Sequence, residues 1–354
     1  MVIRAAVTEG PGAPPVIHEL ELSGPGRGEV RILVEAVGIC HTDLAWADGA
    51  FGNELPSVAG HEIAGIVDAV GEGVVGLDEG DRVVASVLSH CGRCVACLRD
   101  EPALCEHRDD RPERLTRRGT PIVQAFGTGG FAEATVVDAS AVVVVPPDIP
   151  LPYAAVVGCA VITGFGAALR IAPIRPDTAI AVVGCGAVGI SALAAARIAG
   201  ATTIAAFDIA EHRLADATAF GATAAYGTAG ELLASHPHGF DLVFEATGQA
   251  TAVRLAVAAV RRGGEVVLMG LAPAGAELAL DHLDLVVGQK TVHGCNMGNA
   301  RPQVEMPAIL VMHREGLVDL DAFVTATYPL EEVAEAFGHA RAGRGLRTVL
   351  LPRS

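Results

Sequence analysis

Residues 178–189 read Thr178-Ala179-Ile180-Ala181-Val182-Val183-Gly184-Cys185-Gly186-Ala187-Val188-Gly189. The run of Ala, Ile and Val predicts a strand buried on both faces, and the glycines after it have the G-x-G-x-x-G spacing of a phosphate-binding turn. Gly184 allows the tight turn, Gly186 lets the backbone approach a pyrophosphate at the N-terminal amides of the next helix, and Gly189 allows close helix packing. Such glycines alone are a weak signal. Here they leave a strand and open a predicted helix at 187–199, and the next predicted strand, 203–208, ends on Asp208. Its carboxylate can accept hydrogen bonds from ribose hydroxyls and would repel a 2′-phosphate, so the turn predicts NAD rather than NADP.

Downstream of the turn, the pattern predicts a helix at 211–220, a strand at 241–246, a helix at 251–261 and a strand at 265–269. Strand and helix alternating at this pace imply a parallel sheet with right-handed crossovers, a doubly wound α/β domain. Helices near 307–315 and 331–342 and a strand at 348–351 follow, and pattern alone does not say where they pack. Before Pro146-Pro147 the chain reads differently. Glycine-punctuated β runs at 30–37, 63–70, 82–87 and 131–145 predict a mostly antiparallel, partly barrel-like unit. The Arg-rich stretch 106–127 lacks periodicity and reads as a surface loop.

A chain of 354 residues accommodates two domains, and 51% hydrophobic against 19% charged residues is a core-forming balance. The formal charge of −16 argues against nucleic acid or an anionic membrane surface as a partner, since both need clustered Lys and Arg. Met1-Val2-Ile3-Arg4-Ala5 enters strand-like alternation without the features of a signal peptide, so a cytoplasmic location is expected. Two apolar stretches, 154–169 and 178–196, resemble membrane spans. The first is short and the second is interrupted by the phosphate-turn glycines, so neither is expected to cross a bilayer.

Eight cysteines in a reducing compartment point to metal ligands or buried thiols before disulfides. Cys91-x2-Cys94-x2-Cys97-x7-Cys105 can surround one Zn²⁺ tetrahedrally and leave no free position, the pattern of a structural site. An iron–sulfur cluster starts with the same spacing but wants its fourth cysteine three residues on and a proline after it; position 101 is Glu, and Cys105 is followed by Glu106. Cys40, His61 and Cys159 are far apart in sequence, and each alone could be a packed or hydrogen-bonded residue. As a set they offer three ligands with an open fourth position, and Asp43 and Glu62 stand beside them as carboxylates able to accept the second imidazole N–H. Cys185 and Cys295 read as packed free thiols.

These motifs resemble, in order along the chain, those of the zinc-dependent alcohol dehydrogenases of the medium-chain dehydrogenase/reductase family. Carrying the likeness are Gly38-Ile39-Cys40-His41-Thr42-Asp43, Gly60-His61-Glu62-x2-Gly65-x5-Gly71-x2-Val74, the four-cysteine lobe at about 90–107, Gly158-Cys159-Ala160-Val161-Ile162-Thr163-Gly164, the Gly184 turn and Gly345-Leu346-Arg347-Thr348. The resemblance implies a GroES-like, β-rich catalytic domain (1–160 and 296–354) and a Rossmann NAD-binding domain (161–295). It implies a catalytic zinc on Cys40, His61 and Cys159, a structural zinc on Cys91, Cys94, Cys97 and Cys105, and NAD. Asp43 would hold His61, Glu62 would act as a transient ligand, and Thr42 would relay the alcohol proton. His41 and Arg347 would face the pyrophosphate, Thr163 the nicotinamide, and Asp208 with Arg213 the adenosine ribose. Gly184, Gly186, Ala187, Val188, Gly189, Thr247, Met269 and Leu271 complete the expected cofactor contacts.

In this chemistry Zn²⁺ lowers the pKa of an alcohol as a Lewis acid and the nicotinamide takes the hydride. Many relatives carry a histidine where this chain has Ala45, so the proton route must end in water or at His41. Thr42, bulkier than the serine of some relatives, favours a primary alcohol, and Trp46, Phe51, Phe126 and Phe131 are candidates for an apolar pocket wall. Two alternatives stay open. One is a thiol-adduct formaldehyde dehydrogenase, with Arg111, Arg114, Arg117 and Arg118 available to an anionic substrate. The other is a zinc- and NAD-binding regulatory protein without turnover. A homodimer or homotetramer is expected.

Overall fold

The computed structural model describes residues 1–108 and 110–354. It forms two compact units, Met1–Cys159 with Arg301–Ser354, and Ala160–Ala300.

In the first unit a closed barrel runs Val2–Thr8, Val16–Leu22, Leu115–Arg117, Thr120–Gln124 and Ser57–Val58, next to a seven-stranded sheet. That sheet is organised around Glu29–Ile39, whose eleven residues are buried along most of their length. Glu62–Val70, Ala134–Asp138 and Arg347–Leu351 all pair with it, each antiparallel. The pairing Thr348↔Ile39 brings the C-terminal segment back beside Cys40, and Gly38↔Glu62 brings His61 in from the other edge. Three strand ends therefore converge on one point.

Two expectations are corrected here. The stretch 106–127 is not an unstructured surface loop: it contains the hairpin Leu115–Arg117 and Thr120–Gln124, in the register Leu115↔Ile122 and Arg117↔Thr120. Arg118 and Gly119, at φ 54° and 80°, form its two-residue turn, the left-handed pair that matches strand twist. Leu115 and Ile122 are buried in the barrel core, Arg117 is half-buried against Glu9, and Arg118 is exposed. The run 131–145 is two strands, Ala134–Asp138 and Val142–Val144, because the Asp138 carboxylate accepts the Ser140 N–H and turns the chain.

The second unit holds six parallel strands in the spatial order Ala224–Tyr226, Thr203–Phe207, Ala179–Val183, Phe240–Glu245, Val260–Leu268, Thr291–Gly294. Numbered along the chain this is 3-2-1-4-5-6, the dinucleotide-binding order, with its switch point between Ala179–Val183 and Phe240–Glu245. The predicted helix at 251–261 is Ala250–Ala259; it ends early because Val260 already pairs with Phe240 as the next strand. Helices Ala229–Ser235 and His282–Gly288 and the edge strand Thr291–Gly294 are additions to the sequence reading. Among the described residues no single helix is long and apolar enough to cross a membrane.

Candidate metal centre and dinucleotide site

Cys40 follows Glu29–Ile39 and caps the helix His41–Ala47. Asp43, in the first turn of that helix, is fully buried, and its carboxylate accepts three N–H groups: Cys40 N at 2.9 Å, Gly60 N at 2.9 Å and His61 Nδ1 at 2.9 Å. Its engagement of Nδ1 fixes the imidazole and leaves Nε2 available to a metal. Cys159 arrives directly after the turn Val156–Gly158. Ligand atoms of Cys40, His61, Glu62 and Cys159 lie within 4.8 Å of one another, and all four residues are buried.

Electrostatics fit a cation at this point. A hydrogen bond from Cys159 holds the Cys40 thiol far below its usual range, against burial and with help from the Arg347 charge. The same bond, together with burial, keeps Cys159 far above it. Burial works against a charged His61, yet Asp43 raises it well above the usual imidazole range. Glu62 is pushed by burial up to about 7, with Arg347 opposing. Two sulfurs sharing a proton, a locked imidazole and a carboxylate form a donor set suited to Zn²⁺.

Arg347, expected at a pyrophosphate, is 4% exposed; its Nε lies 3.0 Å from Glu62 Oε2 and its Nη1 donates to the Ile39 carbonyl at 3.0 Å. Sequence reading missed this pair, since nothing local links the two ends of the chain. Thr42 is half-buried with Oγ1 3.6 Å from Cys40 Sγ, and His41 is exposed. Of the aromatic candidates, Phe126 stands edge-on to His61 with ring centroids 5.2 Å apart and to Trp46 at 4.5 Å. Phe126 also adopts φ 55°, a left-handed conformation that a bulky residue rarely takes. Phe51 is half-buried. Phe131 is corrected: it is 1% exposed and packs in the core against Phe337.

The four sulfurs of Cys91, Cys94, Cys97 and Cys105 also lie within 4.8 Å of one another, and none of these cysteines is in a disulfide. Sγ separations of 3.4 Å (Cys94–Cys97) and 4.0 Å (Cys91–Cys97) bracket the ~3.8 Å edge of a tetrahedron with ~2.3 Å Zn–S bonds. Backbone N–H groups of Arg93 and Cys94 point at Cys91 Sγ, and those of Cys91 and His107 at Cys105 Sγ, which favours thiolates. Backbone donors bring Cys94 down to about 6. Both donor sets fit zinc.

In the second unit Gly184 has φ 93°, and a Cβ on Gly189 would overlap the Gly184 carbonyl oxygen, so strand, turn and helix Ala187–Ile198 meet with no room for a side chain. Asp208 Oδ2 accepts the Cys185 N–H at 2.8 Å and Oδ1 the Ala210 N–H at 2.9 Å, holding its carboxylate against the turn. Arg213 Nη1 donates to the Cys185 carbonyl at 3.4 Å. Ala187 and Val188 open the helix, where no side chain caps the first amides. Thr247 and the loop bearing Met269 and Leu271 follow adjacent strands; a Cβ on Gly270 would overlap Gly248 N, so these loops touch. Their organiser, missed in sequence, is the fully buried Glu245: it accepts Thr247 N at 2.7 Å, Thr247 Oγ1 at 2.5 Å and Gly248 N at 3.1 Å. Thr163 lies in Ala160–Gly166, 5% exposed, with Oγ1 3.5 Å from Met297 Sδ. Cys185 and Cys295 are packed thiols, raised by burial to about 12 and about 11. Strand order, glycine turn and terminal carboxylate fit a dinucleotide.

Residues 26–147 match the family model for the alcohol dehydrogenase GroES-like domain, and residues 187–312 that for zinc-binding dehydrogenase. An S-(hydroxymethyl)glutathione dehydrogenase of Escherichia coli is 33% identical, covering 99% of this chain and 100% of its own. Among solved structures, an alcohol dehydrogenase zinc-binding domain protein from Burkholderia ambifaria superposes with TM-score 0.94 at 33% identity, covering 100% of both chains. Benzyl alcohol dehydrogenase from Acinetobacter calcoaceticus superposes with TM-score 0.93 at 30% identity, covering 99% of both.

Proposed function

Because the chain belongs to the zinc-dependent alcohol dehydrogenases of the medium-chain dehydrogenase/reductase family, enzymes that use zinc and a nicotinamide, we propose that it interconverts a primary alcohol of apolar or aromatic body and its aldehyde, with NAD as hydride carrier. The observation that carries this reading is the buried convergence of Cys40, His61, Glu62 and Cys159, with Asp43 locking the imidazole. Cys40, His61 and Cys159 would hold a catalytic zinc, and Cys91, Cys94, Cys97 and Cys105 a structural one. Bound at the first site, zinc supplies Lewis acidity toward the substrate oxygen, and the nicotinamide supplies the hydride acceptor.

The chain's own residues do the remaining work. Thr42 Oγ1, beside Cys40 Sγ, takes the hydroxyl proton of the alcohol and passes it toward the exposed His41 and solvent, since Ala45 offers no further carrier. Asp43 keeps the proton on Nδ1 of His61 and so leaves the Nε2 lone pair free for a metal. Arg347 positions Glu62 close to the donor set, where a carboxylate can exchange with other ligands. Gly184, Gly186, Ala187, Val188 and Gly189 present backbone to the pyrophosphate, and Asp208 favours the free ribose of NAD. Trp46 and Phe126 wall the substrate beside His61. The proposal includes a homo-oligomeric, cytoplasmic enzyme.

Similarity to benzyl alcohol dehydrogenase supports an aromatic alcohol; similarity to S-(hydroxymethyl)glutathione dehydrogenase supports a second reading, a thiol adduct of formaldehyde. A panel of alcohols varied in length and aromaticity, run with NAD and NADP and with formaldehyde with and without glutathione, separates them. The primary reading expects NAD reduction with primary aromatic alcohols independent of thiol. Activity only with formaldehyde plus glutathione selects the second reading, and no activity with any arm refutes both.

A further inference from the structure

Glu245 ends the strand Phe240–Glu245 in the middle of the parallel sheet, and its side chain is fully buried. Its carboxylate meets neutral donors only, Thr247 N, Thr247 Oγ1 and Gly248 N, and no cation among the described residues neutralises it. Burying a carboxylate without a partner charge is costly, so one kept in the fold calls for an explanation. The hydrogen bonds do not supply it, since a neutral amide oxygen could accept them at a lower desolvation cost.

Topology places this carboxylate in one half of the cofactor crevice. The strand order turns about the switch point between Ala179–Val183 and Phe240–Glu245, where dinucleotides bind across the strand ends. Asp208, just past Thr203–Phe207, marks the adenosine side. Phe240–Glu245 and Val260–Leu268 lie on the other side of the turn and carry the nicotinamide half. Thr247 rests against the phosphate turn, because a Cβ on Gly184 would overlap its Cγ2. Similarly, a Cβ on Gly248 would overlap the Leu271 carbonyl oxygen, and the Glu245 carbonyl accepts Met269 N at 2.8 Å and Gly270 N at 3.2 Å. One residue therefore ties together the loops of the nicotinamide half and carries a charge that no protein group balances.

The two redox forms of the cofactor share their phosphates and riboses and differ by one charge on the ring: the oxidised nicotinamide is a cation, the reduced one neutral. A fixed anion in a low-dielectric wall distinguishes them. Resting on the nicotinamide-cofactor reading, we propose that the Glu245 carboxylate is a counter-charge for the oxidised nicotinamide and shifts the binding balance of the crevice toward NAD⁺ and away from NADH.

Geometry allows the charge to be removed with little else. Oε1 accepts all three donors, whereas Oε2 makes only a longer contact with Gly248 N at 3.3 Å. Glu245→Gln can keep its amide oxygen at the Oε1 position and give up only that longer contact. The test measures dissociation constants for NAD⁺, NADH and ADP-ribose, which lacks the nicotinamide, by isothermal titration calorimetry on the zinc-loaded enzyme without alcohol. In Glu245→Gln the ratio of the NAD⁺ to the NADH dissociation constant should rise about fivefold, the order expected of one charge acting across an interior of effective dielectric about 20, and ADP-ribose should follow NADH. Glu245→Asp keeps the charge and withdraws it from Thr247, so all three ligands should weaken while the ratio stays within about twofold of wild type. A residue that only holds the loops would move all three ligands together in Glu245→Gln, and that result overturns the proposal. A ratio raised about fivefold in Glu245→Asp also overturns it, and this arm decides the question should Glu245→Gln fail to fold by circular dichroism. Wild type that binds neither NAD⁺ nor NADH refutes the nicotinamide-cofactor reading itself, an outcome distinct from an unmoved ratio.

Discussion

Asp43 accepts N–H groups from Cys40, Gly60 and His61 at once, so one carboxylate sets both the start of a helix and the tautomer of a ligand. Asp43→Asn replaces one acceptor oxygen by a donor, and metal affinity at the Cys40 site should fall about 10–100-fold, read by competition with a chromophoric chelator. Undiminished affinity would show that the imidazole needs no such anchor. Glu245 is the corresponding residue of the second unit. Burial raises its carboxyl above the usual range, against the hydrogen bonds from Thr247 and Gly248. With the folded pKa above the unfolded one, its stabilising contribution is complete below the unfolded value and is lost as pH rises through the folded value. Urea unfolding of wild type and Glu245→Gln, from about pH 4 to about pH 8, should therefore show the difference moving in favour of the variant as pH rises. A pH-independent difference contradicts this. Asp43 was legible because it stands three residues from a cysteine and beside a metal-type motif. Glu245 and the Glu62–Arg347 pair were not, because their meaning comes from loops and strands that meet only after folding.

At the scale of elements, the hairpin Leu115–Arg117 and Thr120–Gln124 shows how short strands escape a periodicity reading. Each presents a single large apolar residue to the core, and the Arg-rich surface between them hides the alternation. The signal available was Arg118-Gly119 as a two-residue turn. Gly119→Ala, at φ 80°, should cost about 1 kcal/mol in urea unfolding; no loss would mean that the turn tolerates a β-carbon. Helix Ala229–Ser235 escaped likewise, although Thr228 and Glu231 form a capping box that was visible in the residues. By contrast, the parallel sheet was readable from its first strand, since both faces are buried and the run is nearly all Ala, Ile and Val. Gly189→Ala would drive a methyl into the Gly184 carbonyl, so NAD affinity should fall at least tenfold by equilibrium titration while zinc content is retained.

For the molecule as a whole, the return of Arg347–Leu351 to Glu29–Ile39 makes the first unit a product of both chain ends. Arg347 and Glu62 are both buried, so Arg347→Met removes the counter-charge of a buried carboxylate and should destabilise by about 3–5 kcal/mol; adding Glu62→Gln should restore part of it. If the double variant is no more stable than Arg347→Met alone, the pair is not coupled. The account rests on two donor clusters each holding one ion, and elemental analysis of zinc per chain tests it most directly. Wild type should hold one ion per cluster; Cys159→Ser should keep only the ion of Cys91, Cys94, Cys97 and Cys105 and lose alcohol-dependent NAD reduction, with its fold intact by circular dichroism. Full zinc content in folded Cys159→Ser, or turnover without the lost ion, would contradict the account.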